Sequence, residues 1–261
     1  MRCRFAIALT GVLAFGASPS ISEDLLSIHA VPENAPFSDE LLPGAGMAVE
    51  IATSAIAQSP APVAVQLDWS STTTSEGVFL PIVEPVCLEK ATAEDICARR
   101  YFSNPLVELV VLLFVPASEA PRLDVVDGYA GLSLCYAVER DPDTALEVQP
   151  RWLSQIGATA RGAPDLETCF RMLDAGDVDA VAADEYRGIL ELFRLELTDR
   201  VLPLTDPAGT MSLHMSVSRT HWRATAHIYR VNSGLAALRR SGAYAEIVSR
   251  HTAEFWARLK K

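Results

Sequence analysis

Two sets of side chains in this chain have a type and spacing that bear on chemistry: the cysteines Cys87, Cys97, Cys135 and Cys169, and the acidic pair Asp184-Glu185. Cys87 and Cys97 stand ten positions apart, just ahead of FSNP (102–105). Cysteines so placed can hold a metal, form disulfides or wall a ligand pocket. A structural zinc site draws on close pairs such as C-x2-C. None occurs, HExxH is absent and the five histidines are scattered. Nor is there a nucleophile elbow or a P-loop. The sequence therefore predicts no metal, no cofactor and no enzyme. Asp184-Glu185 closes the apolar run VDAVAA (178–183), at the carboxyl end of a strand, where an open α/β sheet holds its ligands. Asp184 and Glu185 are the candidates for acid–base work, but carboxylates at strand ends are common without it.

The compartment decides what the cysteines do. Arg2 and Arg4 precede an apolar run, Phe5 to Ala17, and then small residues up to Ser22. This is the layout of a secretory signal peptide over residues 1–22, and the run is too short to span a membrane. The alternative is a buried N-terminal helix. Cys3 precedes the apolar run, so four cysteines remain in the exported chain, an even number that suggests disulfides. The hydrophobic share of 49 % suffices for a packed core. A net charge of −11 argues against nucleic acid or anionic lipid as partner. ARLKK at the C-terminus reads as a solvated helix end.

The elements that must position these groups follow from periodicity. LLSIHAV (25–31) reads as a strand and GMAVEIATSAIAQS (46–59) as a helix. VAVQL (63–67) and the very apolar LVELVVLLFVP (106–116) read as strands, as do AGLSLCYA (130–137) and SLHMSVS (212–218). Asp165 can cap a helix carrying Leu166, Cys169, Phe170 and Leu173 on one face, ending at Gly176. From Thr220 to the C-terminus the chain reads as helical, broken near Gly242. Strand, loop and helix in this order predict an α/β fold.

The chain resembles the periplasmic solute-binding proteins of the polar amino-acid transporter group, extracellular family 3. The resemblance rests on NAPF (34–37), GAGMAVEIATSAI (44–56), TAED (92–95) followed by FSNP, LETCFRMLDAGDVDAVAADE (166–185) and NSGLAALRRSGAYAEIV (232–248), in that order over nearly all of the mature chain. It implies the two-lobed periplasmic-binding-protein type II fold with two hinge crossovers, at LLFVPAS and around TDPAGTMSLHMSV. One lobe combines 23–116 with 207–261; the other is 117–206. It further implies a periplasmic monomer that traps a small-molecule ligand between the lobes and docks on an ABC permease in the inner membrane. A periplasmic accessory or sensory protein of the same fold, and a dehydratase-type enzyme, are the alternatives.

On this resemblance Cys87 and Cys97 fall in one lobe and Cys135 and Cys169 in the other. A bridge between lobes would oppose hinge motion, so Cys87–Cys97 and Cys135–Cys169 are the implied pairs. The family's carboxylate-gripping arginine, soon after Thr-x-Glu, is replaced here by Asp95. Arg99 and Arg100 have the wrong offset and read as surface charges. Asp184 matches the acid that holds a ligand amino group, or is a helix cap. Phe37 lines the cleft or packs in the core. Asn34, Ser103 and Tyr186 complete the implied site. An acid kept and an anion clamp lost favour a cationic or neutral polar solute over an ordinary α-amino acid.

Overall fold

The computed structural model describes residues 25–70, 77–87, 95–124, 129–140, 147–148 and 150–260. The signal peptide expected over 1–22 and the stretch 92–94 of the TAED motif lie outside the described residues. In chain order the elements are β1 (Leu25–Ala30), α1 (Met47–Ala57), β2 (Ala64–Asp68), β3 (Val78–Val83), α2 (Ile96–Arg99), β4 (Arg100–Phe102) and β5 (Val107–Pro116). Then come α3 (Ala120–Leu123), β6 (Ser133–Ala137), β7 (Glu139–Arg140), β8 (Glu147–Val148), α4 (Leu153–Ile156), β9 (Thr159–Ala163), α5 (Leu166–Ala175), β10 (Ala180–Asp184) and α6 (Glu185–Arg194). The chain finishes with β11 (Val201–Pro203), β12 (Gly209–Ser218), α7 (Ala224–Ser241) and α8 (Ala243–Leu259). The strands predicted near 25–31, 63–67, 106–116, 130–137, 178–183 and 212–218 are all present.

The main sheet runs β2-β1-β3-β12-β5-β10-β6-β9. Its centre explains why the most apolar stretch of the chain sits at 106–116. The first part of β5, Val107–Val111, pairs with β12, and the last part, Val111–Phe114, pairs with β10. One strand thus serves both halves of the molecule, with Val107, Leu109, Val111 and Leu113 buried on one face, and Val110 and Leu112 partly covered and Glu108 exposed on the other. The β2-β1-β3 half packs under α1 and α7 through Ile28, Ile51, Leu80, Val231 and Leu235, all buried. A second cluster, Phe114, Phe170, Leu173, Val181 and Leu192, fills the other half. Among the described residues no helix is long and apolar enough to cross a membrane.

Both expected disulfides form, with Cα–Cα separations of 5.6 Å for Cys87–Cys97 and 5.3 Å for Cys135–Cys169. The second ties β6 to α5, whose start is fixed by Asp165 accepting from the Thr168 N–H at 2.7 Å. Pro81 interrupts β3 without breaking it, because the ladder to β12 shifts register there, between His214 and Ser216. No amide hydrogen is required of a proline at such a bulge.

Two predictions arise from helix packing. A Cβ on Gly234 of α7 would lie 1.7 Å from the Ala55 carbonyl oxygen of α1. Gly234→Ala must therefore force the helices apart, at about 1–3 kcal/mol. A lower urea midpoint with unchanged slope would confirm it. Glu50 of α1 binds Arg250 and, at 2.8 Å, His251 Nε2 of α8. Burial raises its pKa, but the hydrogen bonds from Arg250 and His251 outweigh that and hold the carboxyl below its ordinary 4.5. A depressed carboxyl pKa stabilises the fold above the unfolded value, and the benefit is lost as pH falls through the folded one. A melting profile against pH should thus have a shallower acid limb in Glu50→Gln.

Candidate ligand cavity

The loop from β1 to α1 folds back tightly. The Asn34 N–H donates to the Ser38 carbonyl, the Phe37 and Ser38 N–H groups donate to the Asn34 carbonyl, and Ser38 Oγ donates to the Val31 carbonyl at 2.6 Å. The first N–H groups of α1 donate to the carbonyls of Pro36 and Phe37. The helix start is therefore satisfied by its own loop, and the loop is pinned against the sheet.

This loop forms one wall of a cavity of about 380 Å³. The wall consists of Val31, Pro32, Glu33, Asn34 and Phe37 from the loop, Phe79, Pro81, Ile82 and Val83 from β3, with Ile96 and Leu213. It is apolar except for Asn34 and Glu33. The opposite wall is Glu139 and Arg140 from β7 and Arg187 from α6. A cavity of this size, apolar with a few convergent polar groups, is the usual form of a small-molecule site.

The charged wall is organised from beneath. Asp184 is fully buried and ends β10. Its carboxylate accepts from the Tyr186 and Arg187 N–H groups, capping α6, and from Arg187 Nε at 2.5 Å. Arg187 Nη1 reaches Glu139 at 3.4 Å. Burial alone would lower the Arg187 pKa, but the Asp184 and Glu139 carboxylates raise it, so the guanidinium stays charged. Glu185, beside it, has its carboxyl pushed up by burial and by the Asp184 charge.

Two contacts flank the cavity and join the halves. Tyr186 stands edge-on to Phe37 at 5.7 Å and to Phe255 at 5.1 Å, and its hydroxyl meets Thr252 Oγ1 at 3.2 Å. On the other flank Arg151 pairs with Glu84 at 2.8 Å, beside an isolated bridge between Pro85 and Pro150.

Of the side chains that the sequence proposed for the ligand, the structure brings Asn34 and Phe37 to the cavity. Phe37 does both things considered for it: it is 1 % exposed in the core and contributes to the wall. Asp95 caps α2 by accepting from the Cys97 N–H at 2.9 Å. Ser103 Oγ donates to the Asn104 carbonyl and accepts from the Met215 N–H, bracing β12. Asp184 and Tyr186 stand behind the walls, the one as cap and ion pair, the other as packing. Asp95, Ser103, Asp184 and Tyr186 are not among the lining residues.

The reading of Arg100 as a surface charge is corrected. It is 1 % exposed and donates to Ser216 Oγ and to the Gly77 and Ser216 carbonyls, with its guanidinium 4.7 Å from the Phe79 ring centre. Its cost of burial is met by the hydrogen bonds it donates to Ser216 of β12 and to the Gly77 carbonyl, both distant in sequence. Glu33, Glu139, Arg140 and Arg187 line the cavity without having been singled out in the sequence. Arg187 carried a usable signal, since it lies three residues after a capping Asp184.

No protein-family model matches the chain, and no curated protein matches it. Solved structures do. The GluR0 ligand-binding core in complex with L-glutamate is 17 % identical, covering 88 % of this chain and 98 % of that one, with a TM-score of 0.58. A histidine kinase sensor domain with similarity to periplasmic binding proteins is 18 % identical over 87 % and 96 %, with a TM-score of 0.56. A substrate-binding protein of an amino acid ABC transporter is 14 % identical over 87 % and 98 %, at 0.54. Likeness along almost the whole of each chain, together with a sheet whose central strands serve both halves and a cavity between them, identifies the fold: this chain is a two-lobed α/β protein of the periplasmic-binding-protein type II fold.

Proposed function

We propose that the protein is an exported receptor, freed of residues 1–22, that captures a small polar solute, amino-acid-like or cationic, in the cavity between its lobes and delivers it to an inner-membrane ABC permease. One lobe is 23–116 with 207–261 and the other 117–206. The observation that carries this reading is the cavity of about 380 Å³ with one apolar and one charged wall. The volume suits a solute of amino-acid size. A similar fold serves an amino acid ABC transporter, which favours transport as the role. Binding is favoured over catalysis because Arg187 on the charged wall is tied to Asp184 and Glu139, an arrangement that fixes charge rather than moving protons.

A second reading, a periplasmic sensory or accessory protein, is favoured by the similarity to a kinase sensor domain. A thermal-shift screen of the twenty amino acids, polyamines and choline tests the shared core of both. A solute at a hundredfold excess over its Kd stabilises the native form by about 2.7 kcal/mol, a clear rise in midpoint. Absence of any shift at millimolar solute would refute the receptor reading. Reconstitution of a binder with a permease and its ATPase then separates transport from sensing.

A further inference from the structure

We propose that a clasp outside the cavity holds the two lobes together: Tyr186 of α6 is seated among Phe37, Phe255 and Trp256 of the other lobe, so that the closed form is held by the chain itself and a solute enters only when the clasp is undone. This rests on the lobe bounds of the receptor reading above, but on no particular solute. Three observations carry it.

The first is the division of α6 between two cores. Leu192 is buried, and Ile189 packed, in the cluster of Phe114 and Phe170 that fills its own half, whereas Tyr186 and Leu190 belong with Phe37 and Phe255 in the larger cluster. Leu190, one turn after Tyr186, meets Pro36, Phe255 and Leu259 at a smaller cavity of about 130 Å³. The second is the seating of Tyr186, which is 8 % exposed. Its ring centre stands 5.7 Å from Phe37, 5.1 Å from Phe255 and 6.3 Å from Trp256, and its hydroxyl meets Thr252 Oγ1 at 3.2 Å. Edge-on rings at such distances attract beyond the area they bury, and parting the lobes would return Tyr186 and the rings it covers to water. The third is the other flank. Arg151 holds Glu84 through Nη1 to the carboxylate at 2.8 Å and through its N–H to the Glu84 carbonyl at 3.2 Å. The cavity thus lies between two contacts that join the lobes, and Tyr186, Thr252, Phe255, Trp256, Glu84 and Arg151 are not among its lining residues. Of the side chains in the clasp, Phe37 also lines the cavity, which links its occupancy to the clasp. A contact of this kind stabilises the closed form whether or not a solute is present. Apparent affinity scales with the fraction of receptor in the binding-competent form, so weakening the clasp must weaken binding.

Small-angle scattering tests the clasp with no ligand present, on the mature chain stripped of any solute by unfolding and refolding with its disulfides intact. The natural protein should give a compact profile that does not change when a solute from the thermal-shift screen is added. Tyr186→Ala should raise the radius of gyration. Solute should restore its compact profile, while binding about tenfold more weakly than to the natural protein. Thr252→Val and Leu190→Ala trim the clasp without emptying its centre. They should move the same readings in the same direction by less, and they carry the test where Tyr186→Ala does not fold. Near-UV circular dichroism checks that each variant keeps its packing. A stripped natural protein that is expanded, and contracts only on addition of solute, would overturn the clasp. So would folded variants that keep the natural profile. A compact natural protein that Tyr186→Ala opens, but that binds none of the solutes screened, would sustain the clasp and refute the receptor reading.

Discussion

Asp184→Ala is expected to destabilise the protein by about 3–5 kcal/mol, the range for breaking a buried ion pair. Asp184 is fully buried and does two things at once. It caps α6 through the Tyr186 and Arg187 N–H groups, and it neutralises Arg187 at 2.5 Å. Loss of a cap alone costs about 1 kcal/mol. The larger part comes from Arg187, whose side chain is 26 % exposed and would keep only Glu139, at 3.4 Å. Asp184→Asn keeps an acceptor for the cap and removes only the charge, so it should fall between alanine and the natural residue. The measurement is urea unfolding of the ligand-free protein. It distinguishes the two roles that the sequence left open for Asp184. A residue whose task is to hold a ligand's amino group weakens binding when replaced and leaves the ligand-free fold intact. A cap and counter-ion lowers the unfolding midpoint with no ligand present. A midpoint unchanged in both variants would remove the structural account of Asp184.

That ambiguity shows where the sequence was legible. Elements with long, one-sided apolar patterns were readable: β5 from its unbroken valines and leucines, α5 from Asp165 and its 3–4 spacing, α7 and α8 from the break at Gly242, which has φ +84. The sequence reading names Asp184 as a ligand acid or a helix cap but draws no helix after it, although EYRGILELFR is amphipathic. With α6 unplaced, Arg187 had no position. The two-residue strand β7, which brings Glu139 and Arg140 to the cavity, has no periodicity to detect. Arg100 was misplaced for a different reason. Its partners Ser216 and Gly77 lie 116 and 23 residues away, so nothing local marks it as buried. The charged half of the site is thus non-local. It is made by short elements and by a helix turn that only the fold brings opposite the β1–α1 loop.

Removal of the Cys135–Cys169 bridge is expected to cost about 4 kcal/mol, and of Cys87–Cys97 about 3 kcal/mol, from the chain entropy that each withholds from the unfolded state. The two spans are 34 and 10 residues, and the entropic term grows with loop length, which sets the order. The surroundings act in the same direction. Cys135 and Cys169 are fully buried against Phe170 and Val181, so Cys135→Ala with Cys169→Ala also leaves a gap in a packed core. Cys87 is exposed, and its bridge fastens the start of α2 below the cavity wall. With the lobe bounds proposed above, each bridge joins segments of one lobe, so reduction should lower stability without releasing a tether between the lobes. Thermal or urea unfolding of both double variants, and of the natural protein with and without reductant, reads these effects. Comparable losses for the two pairs would contradict the loop-entropy argument. A ligand affinity that rises on reduction would mean that a bridge restrains closure, against the placement of both within lobes.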